Sequence, residues 1–190
     1  MLKKILFGGI RSYPHYNGVS FMAVEEWLHP DFLMSSDACI SGCGGWFRGK
    51  YFHKQFPQFI LDKNLHINAL ELLAIMVCLK LWGPDLKCKR LKLFCDNTVS
   101  VQVLNTGKSR DIFLQSCLRE ICLLAAVHEF EIKAVYLPGP SNRIADLLSR
   151  WHLDEHNNVL FHEIVQKDFE TCDLIEFNIS DIYFEFQHNW

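Results

Sequence analysis

Four acids in this 190-residue chain stand where an ionised carboxylate is expensive. Glu71 interrupts HINALELLAIMVCLKLW, residues 66–82, in which apolar side chains fall on every helical face. A helix that is hydrophobic all round is a buried one. A carboxylate inside it needs a partner or a cation. Asp37, Asp96 and Asp146 likewise adjoin apolar or small residues at the edges of predicted strands and helices. Local readings exist for each. Asn68 and Glu71 fit a capping box, Asp146 is spaced to pair with Arg150 one turn on, and Asp37 and Asp96 suit strand-end turns. Four such acids together nevertheless form a constellation that could do chemistry.

The elements that must position them follow from periodicity. FLMSSDACI reads as a short strand ending at Asp37, and ISGCGGWFRGKYFHKQF as two further antiparallel strands with glycine-rich turns. PQFILDKNL reads as a loop before the buried helix, which Gly83 and Pro84 terminate. RLKLFCDN is a strand stopping at Asp96, and TVSVQVLNTG a short helix despite its valines. A longer helix runs from about Asp111 to Val127, FEIKAVYLP is a strand, PGPSN a loop, and RIADLLSRW a helix carrying Asp146. This order predicts a mixed α/β sheet with helices on its faces, and in such sheets functional groups gather at strand ends. If the first and fourth strands are neighbours, Asp37 and Asp96 meet at one rim, where helix starts can deliver Glu71 and Asp146.

Bulk properties narrow the setting. A composition 49% hydrophobic supports a real core. MLKKILFGGI imitates a leader, but Arg11 cuts its apolar stretch short. No run is expected to span a membrane. Several of the eight cysteines (Cys78, Cys95, Cys117, Cys122) lie in apolar runs, which favours a reducing, intracellular setting, cytoplasmic or nuclear. A zinc site from Cys39, Cys43, His152 and His156 would join two distant pairs without finger spacing. The net charge of −3 is unevenly distributed. Residues 31–150 carry fifteen basic and eleven acidic side chains, whereas residues 151–190 carry one and nine. The middle segment can attract phosphate and the end cannot.

SSDACISGCGG, INALELLA, LFCDNTVSVQVLN and YLPGPSNRIADLLSR resemble, in order, the four signature blocks of ribonuclease H domains. The likeness is greatest to those of retroelement reverse transcriptases of the DIRS-like and gypsy-like kinds. It covers about residues 31–150. NGVSFMAVEEW, within residues 1–30, is similar to the connection that joins the polymerase to such a domain. The resemblance implies a ribonuclease H-like fold with a five-stranded mixed sheet. It implies that Asp37, Glu71, Asp96 and Asp146 hold two Mg²⁺ ions, with Mn²⁺ as an alternative. Two such ions about 3.5–4 Å apart can serve both the attacking water and the leaving oxygen of a phosphodiester. The implied partners are an RNA–DNA hybrid and a polymerase domain in cis or in trans.

The resemblance further implies that Asn68 matches a position that contacts the hybrid in its minor groove. Asn97, Thr98 and Asn142 adjoin the acids and are candidates for ribose or phosphate contact. Lys108 and Arg110 are the basic residues of NTGKSRD, where cellular enzymes often insert a longer basic handle. Trp46 and Trp82 are expected in the core. One departure concerns the loop before the last helix, where many ribonucleases H carry a histidine and this chain has Pro140. Residues 151–190 match no known pattern. They are acidic and aromatic, with IYFEF alternating like an edge strand and His152, His156 and His162 read as solvated. Two other functions remain open: a catalytically inactive module that binds nucleic acid or a polymerase, and another nuclease or transposase of the same fold.

Overall fold

A computed structural model describes residues 29–169 and 173–188. Most of the connection-like segment, residues 1–28, lies outside them. The sheet has six strands in the order β5-β4-β1-β2-β3-β6. β1 (Phe32–Ala38), β2 (Gly42–Phe47) and β3 (Lys50–Gln55) form an antiparallel meander. β4 (Arg90–Cys95) runs parallel to β1, β5 (Glu131–Tyr136) parallel to β4, and the two-residue β6 (Ile175–Glu176) parallel to β3.

The helices are α1 (Gln58–Leu61), α2 (Ile67–Trp82), α3 (Thr98–Thr106), α4 (Ile112–His128), α5 (Arg143–Ser149) and α6 (Glu155–Asp168). Strand alternation sorts the side chains between two cores. Met34, Cys43, Phe47, Phe52, Leu91, Leu93, Ile132 and Ala134 face α2, α3 and α4. Trp46 and Tyr51 face the opposite way, packing with Leu147 and Leu148 of α5 and Phe161 and Val165 of α6. Trp46 and Trp82 are both buried, as expected.

β2 is buried on both faces, and its glycines make that possible. A Cβ on Gly44 would lie 2.3 Å from the Leu148 Cβ of α5, and one on Gly45 would lie 2.4 Å from the Cys78 Sγ of α2. Adjacent residues of a strand point to opposite faces, so the Gly44-Gly45 pair lets a helix approach closely on each side. GCGG is thus strand rather than turn, and the turn is Arg48-Gly49, both at positive φ (53° and 80°).

α2 is the buried helix that the sequence predicts, with Ala69 through Leu79 all buried. Its entry differs from a capping box. The N-cap is His66, whose ring nitrogen accepts from the Asn68 amide at 3.2 Å, and Asn68 already lies inside the helix. By length and composition Ile67–Leu86 would also suffice to cross a membrane, contrary to the sequence expectation, but here it forms the centre of the core.

The stretch after residue 150 packs against the sheet. α6 covers the second core, and β6 adds the sixth strand. Residues of IYFEF form a 3₁₀ turn, Asp181–Phe184, rather than an edge strand, and bury Phe184 against Phe56. PQFILDKNL contains the one-turn α1 instead of being wholly loop.

Candidate active site

β1 and β4 bring the first two acids together. Their parallel register pairs Ser35 with Phe94, and the same offset continued by two residues places Asp37 opposite Asp96. Asp37 is the penultimate residue of β1, and Asp96 immediately follows β4. Glu71 enters from α2, where the backbone N–H of Ala38 favours its ionised form against the burial. One ligand oxygen from each of Asp37, Glu71 and Asp96 lies within 4.8 Å of the others. Among the described residues this is the group of acids, cysteines or histidines so converged.

The site is poorly solvated. Asp37 is 3% exposed and Glu71 4% exposed. Burial, reinforced by Asp37 and Asp96, pushes the Glu71 carboxyl up to about 9. Burial also raises Asp37, to about 7, against the opposing Ser149 hydrogen bond and with help from Asp96 and Asp146. The Oε2 atom of Glu71 is buried without a hydrogen-bond partner. An unsatisfied carboxylate oxygen between two further acids fits a hard divalent cation, which takes oxygen ligands.

Asp146 lies in the first turn of α5, close enough to raise both buried acids, but its side chain is 40% exposed and outside the three-acid group. Its Oδ1 accepts from Arg150 Nε at 2.7 Å, the one-turn pairing that its spacing allows. α5 contributes a second contact that the sequence reading missed. Ser149 Oγ, fully buried, lies 2.5 Å from Asp37 Oδ2 and 2.9 Å from the Asp146 carbonyl. Its place three residues after Asp146 puts it on that acid's helical face, but no local spacing points from it to Asp37, 112 residues away.

The neighbouring asparagines divide into separate roles. Asn97 caps α3, its Oδ1 accepting from the Ser100 amide at 2.9 Å, and its Nδ2 donates to Asn68 Oδ1 at 2.9 Å. Asn68 is thereby oriented by the residue that follows Asp96. Asn142 is buried and donates to the Ser36 carbonyl at 3.0 Å, so it fastens the loop to β1 instead of facing a substrate. Thr98 begins α3 and is exposed. Lys108 and Arg110 are exposed on the short connection between α3 and α4 and do not contact the acids. Gly139 closes the site's wall: a Cβ there would sit 3.2 Å from Asp96 Oδ2.

The zinc alternative is not assembled. Cys39 Sγ donates to the Ser149 carbonyl, His152 Nε2 is 2.7 Å from Ser41 Oγ, and His156 is exposed on α6. His152 is half-buried beneath Gly42 rather than solvated.

No protein-family model and no curated protein matches the chain. Among solved structures, it is similar to ribonuclease H1 of the halophilic archaeon Halobacterium salinarum NRC-1. The TM-score is 0.51 at 14% identity, over 65% of this chain and 98% of that one. The N-terminal RNase H domain of a Mycobacterium tuberculosis protein, solved as a fusion with maltose-binding protein, matches with a TM-score of 0.47 at 13% identity, covering 68% and 99%. The first similarity, with the strand order and flanking helices, defines the fold as ribonuclease H-like. Its sheet here has six strands, one more than the sequence implied, because the C-terminal stretch supplies β6.

Proposed function

We propose that the chain hydrolyses the RNA strand of RNA–DNA hybrids, as the ribonuclease H part of a retroelement reverse transcriptase. The observation that carries this reading is the convergence of Asp37, Glu71 and Asp96 at the β1–β4 rim, with one Glu71 oxygen unsatisfied. The name of the archaeal structure, ribonuclease H1, supports it. Asp37, Glu71 and Asp96 would hold Mg²⁺ or Mn²⁺, with Asp146 beside them. When bound, such cations supply a nucleophilic water and stabilise the leaving oxygen.

The remaining roles belong to the chain's own residues. Asn68, oriented by Asn97, keeps its amide hydrogens for a substrate acceptor, and the 2′-hydroxyl displayed in a minor groove is what distinguishes RNA from DNA. Thr98 offers an exposed hydroxyl to backbone phosphate. Lys108 and Arg110 contribute long-range attraction to the hybrid, and only two such cations make an attached polymerase domain the natural source of further affinity. Pro140, in the loop beside the acids, has no group that moves a proton. The setting proposed is intracellular, cytoplasmic or nuclear.

A second reading, an inactive module that binds nucleic acid or a polymerase, draws on the Asp146–Arg150 ion pair, which occupies the fourth acid with a protein cation. One assay separates the two. Labelled hybrid, double-stranded DNA and double-stranded RNA are incubated with the protein and Mg²⁺ or Mn²⁺, beside Asp96→Asn. RNA-strand cleavage of the hybrid alone, reduced more than about a hundredfold by the substitution, is the expected result, because losing a direct ligand exceeds the 10–100-fold typical of its supporting groups. Hybrid binding without cleavage by either protein assigns the module.

A further inference from the structure

We infer that Ser149 is the positioning residue for the candidate metal centre, orienting Asp37 from α5; this rests on the ribonuclease reading for its catalytic consequence but not for its metal-binding one. Ser149 is fully buried, and its Oγ lies 2.5 Å from Asp37 Oδ2 and 2.9 Å from the Asp146 carbonyl. Among the described residues it is the hydrogen-bond partner of the Asp37 side chain. Asp37 lies in a strand in which its neighbours Ser36 and Ala38 face the other way, so neither of them fixes its carboxylate plane. The hydroxyl does so from the opposite layer, 112 residues away in sequence.

The arrangement also couples two of the four acids. Ser149 sits one turn beyond Asp146, and its single hydroxyl proton is shared between the Asp37 carboxylate and the Asp146 main-chain carbonyl, which ties the α5 turn bearing Asp146 to the strand end bearing Asp37. Gly44 allows this contact, because it lets Leu148, the residue before Ser149, approach β2 directly. Groups that orient a metal-binding carboxylate through a hydrogen bond typically change metal affinity or activity by about 10–100-fold when removed.

The test uses the whole chain without nucleic acid first. Mn²⁺ binding is titrated by calorimetry for wild type, Ser149→Ala, Ser149→Cys and Asp37→Asn, with circular dichroism confirming that each is folded. Ser149→Ala is expected to bind Mn²⁺ about 10–100-fold more weakly. Ser149→Cys, a weaker donor of similar shape, is expected between the two, a graded rescue that a purely packing role would not produce. Hybrid cleavage is then measured at saturating Mn²⁺. Weakened Mn²⁺ binding in a set of proteins that all fail to cut hybrid supports the role of Ser149 and removes the ribonuclease reading. Mn²⁺ affinity of Ser149→Ala within about twofold of wild type, where Asp37→Asn is impaired, overturns the inference. Absence of Mn²⁺ binding by the wild type overturns it as well. If Ser149→Ala is unfolded, Ser149→Cys is judged by the same threshold.

Discussion

At the scale of residues, the site is a store of electrostatic cost. Asp37, raised to about 7, and Glu71, raised to about 9, are held there first by burial, with Asp96 and Asp146 adding repulsion to both and Asp37 to Glu71. In the unfolded chain both ionise near pH 4. Between those values the folded, metal-free protein binds more protons than the unfolded one, so its stability falls as pH rises from about 4 through about 9. A divalent cation favours the ionised carboxylates and works in the opposite sense. The increase in melting temperature produced by Mn²⁺ should therefore be larger near pH 8.5 than near about pH 5.5, and an equal increase at both would contradict the site as described. Glu71→Gln should stabilise the metal-free protein at about pH 8, by roughly 1–3 kcal/mol, while abolishing that cation response. Thermal melts with chelator and with Mn²⁺ test both outcomes.

The elements set how far these side chains can be moved. α5 lies against β2 because position 44 has no Cβ, and α2 lies against the other face because position 45 has none. Gly44→Ala would place its methyl 2.3 Å from Leu148 Cβ and 2.6 Å from the Leu148 carbonyl carbon, leaving α5 to shift. Its expected cost is about 1–3 kcal/mol or somewhat more. Activity should fall further than stability, since the displaced helix carries Asp146 and Ser149. Gly45→Ala meets the side-chain atoms Cys78 Sγ and the Phe52 ring instead of helix backbone, so they can give way without shifting α2 and its Glu71, and it should destabilise without that selective loss. Denaturant unfolding of both variants beside hybrid cleavage discriminates the two faces; equal activity losses at equal stability would argue against it. α3 behaves similarly as a clamp: Asn105 bonds both the N–H and the carbonyl of Ala134, at 3.0 and 2.8 Å, satisfying a residue of the β5 edge.

Across the whole molecule, the acidic C-terminal stretch closes the larger core. Ile179 and Phe184 are buried in it, Phe177 packs on Trp82, and Phe186 on Phe113. Lys80 and the fully buried Glu120 form an ion pair of 3.1 Å, and Glu120 also accepts from the Gln187 amide at 3.0 Å. Phe184→Ala should cost about 3–5 kcal/mol through the cavity it leaves. Glu120→Ala should cost about 3–5 kcal/mol by stranding Lys80 and releasing the end of the chain. Urea unfolding measures both, and a loss below about 0.5 kcal/mol would mean that the stretch is a detachable tail. The sequence by itself determined the order of the strands and main helices over residues 31–150, the all-round burial of α2 and the acids worth following, but not α1 or α6, because those it caught depend on local periodicity and on the cost of charge among apolar neighbours. It also carried the pairing of Asp146 with Arg150, one helical turn apart. Only the tertiary structure decided that Asn142 fastens a loop, that His66 caps α2, that GCGG is a strand and that the C-terminal stretch adds β6. Those outcomes depend on groups tens of residues apart meeting across layers. The contact of Ser149 with Asp37 is of the same kind: the physical reason it escaped the sequence is that a hydrogen bond spanning 112 residues leaves no local period to read.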